Sequence, residues 1–205
     1  MPSTDVRPHP SIERTFESKR VSSMSKAVNN VFVLCTGRCG SVTFSKACGH
    51  FSNFTVGHET RSKIGGPART QYPQAHIEID NRLTWFLGML EARYGDSAFY
   101  VHLTRNRDEV ANSFNRRWHM RGSIVRGYCD HILSAAVKDP LAACYDYIDT
   151  VESNISAFLR DKTQVLHFDI ADYHSKFPEF IDCISAKGNL EQSMSEWTKQ
   201  YNRSA

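Results

Sequence analysis

Arg38, Ser41 and Thr43 fall in and just after a turn bounded by Gly37 and Gly40, directly behind the apolar run Val31 to Cys35. A strand, a Gly-flanked turn and a Ser/Thr-bearing helix, in that order, gather free backbone N–H groups and a helix dipole around one concavity. Such a concavity suits an anion, a phosphate or a sulfate, and Arg38 adds a fixed positive charge to it. Two further places carry groups able to work with it. The strand-like segment Ala98 to Thr104 ends at Arg105, and Ser113 follows about two helical turns later. A guanidinium fork and a hydroxyl are suitable partners for a second phosphate. The short segment Phe54 to Gly57 ends at His58-Glu59-Thr60-Arg61, which offers an imidazole and a carboxylate, either able to accept a proton.

The turn fits neither common nucleotide signature. A Walker A loop needs Gly-Lys-Ser/Thr after four intervening residues, and here Gly40 is followed by Ser41 with no lysine. The dinucleotide fingerprint fails for want of a third glycine at the required spacing. What Arg38-Cys39-Gly40-Ser41-Val42-Thr43 resembles is the 5′-phosphosulfate-binding loop of sulfotransferases that use 3′-phosphoadenosine 5′-phosphosulfate. The strand–Arg105–helix–Ser113 arrangement is similar to that family's 3′-phosphate grip, although Asn106-Arg107 stands where the family usually has a proline. Gly57-His58-Glu59-Thr60-Arg61 looks like the Gly-Glu-Glu-Thr-Arg stretch of tyrosylprotein sulfotransferases, with His58 in place of one glutamate. Lys187-Gly188 is a truncated echo of a late Arg-Lys-Gly element that also holds the 3′-phosphate; a helix-ending glycine beside a lysine is the plainer reading.

The resemblance implies a division of labour. Cys39, Gly40, Ser41, Val42 and Thr43 would hold the 5′-phosphate, and Arg38 would stabilise charge on the bridging oxygen. Arg105, Ser113 and Lys187 would hold the 3′-phosphate. Glu59 would be the base, with His58 the other candidate. The cofactor implied is the phosphosulfate donor, without a metal. The acceptor stays open: a peptide, a carbohydrate or a small molecule. Two other readings use the same residues. One is a P-loop kinase or nucleoside triphosphatase with a degenerate loop; the other is a non-catalytic nucleotide binder on the same scaffold.

These residues need a scaffold that brings several strand ends together. The pattern of elements predicts an α/β fold, three-layer α/β/α, with a central mostly parallel sheet and a P-loop-like turn after the first strand. Residues 1–27 are polar, contain Pro2, Pro8 and Pro10, and read as a flexible arm; residues 28–205 read as a single domain. Thr60 to Gln74, with Gly65-Gly66-Pro67, reads as a loop over the ligand crevice. His76, Glu78 and Asp80 alternate with Ile77 and Ile79, which suggests a solvated extended segment or acceptor contacts. Helices are expected over Asp80 to Arg93, 107–118, 123–136, Pro140 to Arg160, 175–185, and finally up to Gln200, with a strand over Thr163 to Phe168. His102 and His167 are expected to be satisfied core histidines.

With 205 residues, 40% hydrophobic and 23% charged, the composition is that of an ordinary globular domain. A net charge of +3 gives no reason to expect nucleic acid as a partner. Arg105, Arg107, Arg116, Arg117, Arg121 and Arg126 concentrate in one region, either as a solvated face or with one of them touching the donor or an acidic acceptor. The six cysteines have no zinc spacing. Cys35, Cys144 and Cys183 read as reduced core thiols, and Cys39 as either a small filler of the loop or an activated thiol. No apolar run is long enough to span a membrane, and a cytoplasmic setting is expected.

Overall fold

The computed structural model describes residues 28–134, 136–199 and 201. The arm expected over residues 1–27 lies outside them, as does Gln200, where the sequence pattern ends the last helix. The first strand, β1 (Asn30–Leu34), is wholly buried and leads through the Gly37–Gly40 turn into helix α1 (Ser41–Cys48). Strand β2 (Thr55–His58) follows, then a 3-10 turn over Gly66–Thr70 and strand β3 (His76–Ile79). A second 3-10 turn, Asn81–Trp85, precedes helix α2 (Leu87–Tyr94). Strand β4 (Phe99–Thr104) gives way to α3 (Arg107–Asn115) and then α4 (Ile124–Gly127), which widens into a π-helical turn over Tyr128–Leu133. The long helix α5 (Pro140–Leu159) connects to β5 (Val165–Asp169), followed by α6 (Tyr173–Ile184), α7 (Leu190–Ser195) and a 3-10 turn over Glu196–Thr198.

The fold is α/β. Among the described residues its five strands are all parallel, in the order β2-β3-β1-β4-β5. Alternation along β1 divides the core. Val31 and Val33 face the layer containing Phe44, Phe177 and Phe180 of α1 and α6, whereas Phe32 and Leu34 face Val110, Tyr147 and Val151 of α3 and α5. Burying one such aromatic contributes roughly 1.5–3 kcal/mol. Phe44 in particular is packed among Phe168, Phe177, Phe180 and Trp197, which pins α1 to the sheet. The topology also fixes where a ligand belongs. From β1 the chain turns toward β3 and β2, and from β4 it turns toward β5, so the connections part between β1 and β4. In open parallel sheets the crevice at such a parting, beyond the strands' carboxyl ends, is the binding position.

Several local expectations need correction. His76–Ile79 is an inner strand between β1 and β2, not a solvated segment, and all four residues are buried. The helix expected over Asp80 to Arg93 is split, because Asp80 caps a 3-10 turn and Phe86 leaves helical geometry. His102 is buried against Glu152, 2.6 Å away, but His167 points to solvent, since β5 is an edge strand. Cys183 is likewise exposed on the outer face of α6. The loop Thr60 to Gln74 contains a helical turn whose Arg69 is buried to 1% exposure. Among the described residues no helix is long and apolar enough to cross a membrane.

Candidate functional site

Beyond the ends of β1 and β4 lies a cavity of about 780 Å³, within the range of small-molecule sites. Its floor is the turn after β1. Gly40, at φ 88°, is the residue from which α1 starts, and it supplies no side-chain cap. The first helical backbone bond runs from Phe44 N–H to the Gly40 carbonyl, so the first-turn amides of Ser41, Val42 and Thr43 are left to a ligand in the cavity they line. Ser41 and Thr43 bring hydroxyl-bearing side chains to this lining. Cys39 is buried, as befits a small residue under the turn.

Arg38 occupies left-handed backbone at φ 61°. Its Nε donates to Ser113 Oγ at 2.9 Å, and Ser113 is 3% exposed on the buried side of α3. Arg105 Nη1 donates to the Arg38 carbonyl at 3.3 Å. Arg38, Gly40, Arg105, Ser113 and Arg116 thus line one cavity, although they come from separate strands and helices. Burial pushes the Arg38 pKa below the ordinary arginine range, and the charges of Arg117, Arg105 and Arg116 push the same way. Positive charge has been concentrated where it is partly desolvated. An anion in the cavity would relieve this. Until then Glu109 of α3 occupies Arg105, accepting from its Nε at 2.7 Å and also from Nη2.

The opposite wall was not visible in the sequence. Tyr173 stacks on Trp197 at 5.3 Å and 12°, and Phe168 backs Trp197 at 5.4 Å. Trp197 is 8% exposed, and its Nε1 is a buried donor with no partner among the described residues. Lys199 and Tyr201 line the same wall and are tied to Glu196, Lys199 at 2.8 Å. These two bonds, with His50, hold the Glu196 carboxyl at a pKa of about 2. An aromatic just past β5 was the one available signal for this wall. Trp197 alone reads as part of a terminal helix.

No family model matches this chain, and no curated protein matches it. The site has to be understood from its own geometry.

His58 and Glu59 lie on the other flank of the turn, at the end of β2. His58 Nε2 is 3.2 Å from Ser41 Oγ, so the imidazole touches the start of α1 without lining the cavity. Glu59 is in left-handed backbone, φ 53°, and its carboxylate is ion-paired with Arg82. Left-handed backbone costs an ordinary residue about 1–2 kcal/mol. Of the other non-glycine residues with positive φ, Ser134 and Ser185 end helices, which accounts for them, and Ala75 directly precedes β3. Arg38, Glu59 and Ala75 end none.

Lys187 is placed elsewhere. Its N–H donates to Asn53 Oδ1 at 2.7 Å and its carbonyl accepts from Ser52 N–H at 2.6 Å, near the foot of α1 and before β2 begins. Gly188 pairs with Phe51 there, and α6 has already ended at Ser185, so neither reading of Lys187-Gly188 fits. The late lysine at the cavity is Lys199. Of the arginine-rich region, Arg116 joins Arg105 at the cavity, whereas Arg107 pairs with Asp149 on the exposed face.

Proposed function

We propose that the protein is a sulfotransferase that moves a sulfuryl group from 3′-phosphoadenosine 5′-phosphosulfate to an acceptor hydroxyl or amine. One observation carries the reading. Two sets of groups suited to anions, the α1 start with Arg38 and the pair Arg105/Ser113, come from distant segments, line a single cavity and are joined by two hydrogen bonds. A ligand with two separate phosphates makes use of both; a single anion leaves one idle. The flat Tyr173/Trp197 wall offers a surface for the purine between them.

In this reading the first-turn amides of α1 and the Ser41 and Thr43 hydroxyls hold the 5′-phosphate, while Arg105 and Ser113 hold the 3′-phosphate. The acceptor oxygen forms its bond to sulfur as the bond from sulfur to the 5′-phosphate oxygen breaks. The electron pair of that bond stays on the phosphate, giving adenosine 3′,5′-bisphosphate, and Arg38 stabilises the charge that develops there. The acceptor proton passes to Glu59, with His58 beside Ser41 as the other base within the same region. Arg38 is held at its turn by Ser113, whose Oγ accepts from its Nε at 2.9 Å.

The reading is tested in two steps. Thermal unfolding with adenosine 3′,5′-bisphosphate should shift upward, and the shift with ATP should be absent; ligand at 100 times its Kd contributes about 2.7 kcal/mol. Transfer of labelled sulfuryl groups to a panel of peptide, carbohydrate and phenolic acceptors should persist in excess EDTA and fall by about 10²-fold or more in Arg38→Ala and Glu59→Gln. Donor binding should survive in Glu59→Gln. Stabilisation by ATP with magnesium, and not by the bisphosphate, would instead favour a kinase or nucleoside triphosphatase.

A further inference from the structure

We propose that Glu78 and Asp80, buried carboxylates on β3 and at its end, are positioning residues that fix Glu59 for reaction; this rests on the reading of Glu59 as the base. Glu78 is completely buried. Its Oε1 accepts from Thr60 N–H at 2.7 Å and its Oε2 from Thr60 Oγ1 at 2.7 Å, so the residue after Glu59 is held at backbone and side chain together. His76 Nε2 lies 2.9 Å from the same Oε2, and His76 Nδ1 is 2.8 Å from Thr55 Oγ1 on β2. Glu78 reaches this position only because residue 57 is glycine. A Cβ on Gly57 would collide with Glu78 Oε2 and stand 3.1 Å from His76 Nε2.

Asp80 works on the other side of Glu59. Its Oδ1 accepts from Arg82 N–H at 2.7 Å and its Oδ2 from Arg69 Nη2 at 2.6 Å. That fixes the backbone from which Arg82 extends its guanidinium to the Glu59 carboxylate. The Glu59 N–H itself donates to the Ile79 carbonyl at 3.0 Å. One left-handed residue is therefore held before it by close packing at Gly57, after it by Glu78 through Thr60, and at its carboxylate by Arg82 through Asp80. Strained backbone of this kind persists only where surrounding groups over-determine it, and such strain gathers at functional sites. Glycine at 59 would adopt this backbone without the steric cost that Glu59 carries.

The experiment uses the full chain with Thr60→Val, Thr60→Ser and Glu78→Gln. Thr60→Val and Glu78→Gln should lower kcat by about 10²-fold while the Kd for adenosine 3′,5′-bisphosphate stays within about twofold, and Thr60→Ser should restore the rate. Independently of turnover, amide exchange at Thr60 should be slow in the parent chain and fast in Glu78→Gln, with the amides of β1 and β4 unchanged. A kcat close to that of the parent in both variants overturns the proposal, as does a Thr60 amide equally protected without Glu78. Loss of donor affinity and strand protection along with kcat also overturns it, by showing a purely structural role. If the parent chain transfers no sulfuryl group to any acceptor, the sulfotransferase reading fails on its own, and Thr60 exchange still decides whether Glu78 fixes the turn.

Discussion

The turns after β1 and β2 both hold a chemically capable residue in left-handed backbone, Arg38 at φ 61° and Glu59 at φ 53°, yet they are built on opposite plans. The Arg38 turn is left with surplus. Positive charge from Arg105, Arg116 and Arg117 crowds it, the helix behind it has no side-chain cap, and its pKa is depressed by burial and by those neighbours. The Glu59 turn is closed on itself. Its carboxylate has Arg82, its N–H has the Ile79 carbonyl, and its neighbour Thr60 has Glu78. In the proposed reading a ligand engages the first region, whereas the second is held by partners within the chain. A donor should therefore stabilise the fold on binding, whereas the acceptor side should be preformed.

The sharpest break of this contrast is Arg38→Ala. Removing one preorganised donor of transition-state charge costs roughly 10²–10³ in kcat. The melting temperature of the same variant weighs two effects, burial and like charges that disfavour the guanidinium and the hydrogen bond to Ser113 that favours it, and a small change either way is expected. A large drop in melting temperature would mean the charge crowding is already compensated. Next comes Arg105→Ala, which removes a charged hydrogen-bond partner of the donor and should weaken adenosine 3′,5′-bisphosphate by about 1.5–3 kcal/mol, read by calorimetry. An unchanged Kd there would take the second phosphate out of the site.

Glu59→Gly probes the closed turn. It relieves left-handed strain of about 1–2 kcal/mol but gives up the Arg82 pair, about 0–1 kcal/mol for partly exposed partners, and about 0.5–1 kcal/mol of glycine entropy. Stability should stay within about 1 kcal/mol of the parent by chemical denaturation, while transfer is lost. A protein sharply destabilised by this change would place Glu59 among the structural residues and separate the two turns completely.

How the two regions differ in legibility follows from how they are built. The Arg38 turn is local: apolar strand, glycines, hydroxyls and helix lie side by side in the sequence, and Arg105 with Ser113 repeats the strand–helix order. The fold class follows from the same alternation. The frame under Glu59 is non-local and polar. His76 and Glu78 occupy positions where polarity normally means solvent, and they are buried because Thr55 and Thr60, from another strand and turn, satisfy them. No spacing rule carries that pairing. The aromatic wall has the same origin, since Tyr173 and Trp197 meet only after α6 has crossed back over the sheet. Lys187 failed for a related reason: a dipeptide echo fixes no position in space, and chain folding delivered Lys199 to the cavity instead.

The smallest expected effect refines the open region. Glu109 holds Arg105 through its Nε and Nη2, much as a phosphate oxygen would, and both residues line the cavity. The pair is well exposed, so its worth is about 0.2–1 kcal/mol, and an incoming 3′-phosphate has to displace it. Glu109→Gln removes the competing charge without removing volume. The bisphosphate should then bind up to about fivefold more tightly, with little change in kcat, and the gain should shrink as salt rises because screening weakens the competitor too. Weaker binding in this variant would make Glu109 a support that orients Arg105, and the cavity would then be more preformed than its surplus of positive charge implies.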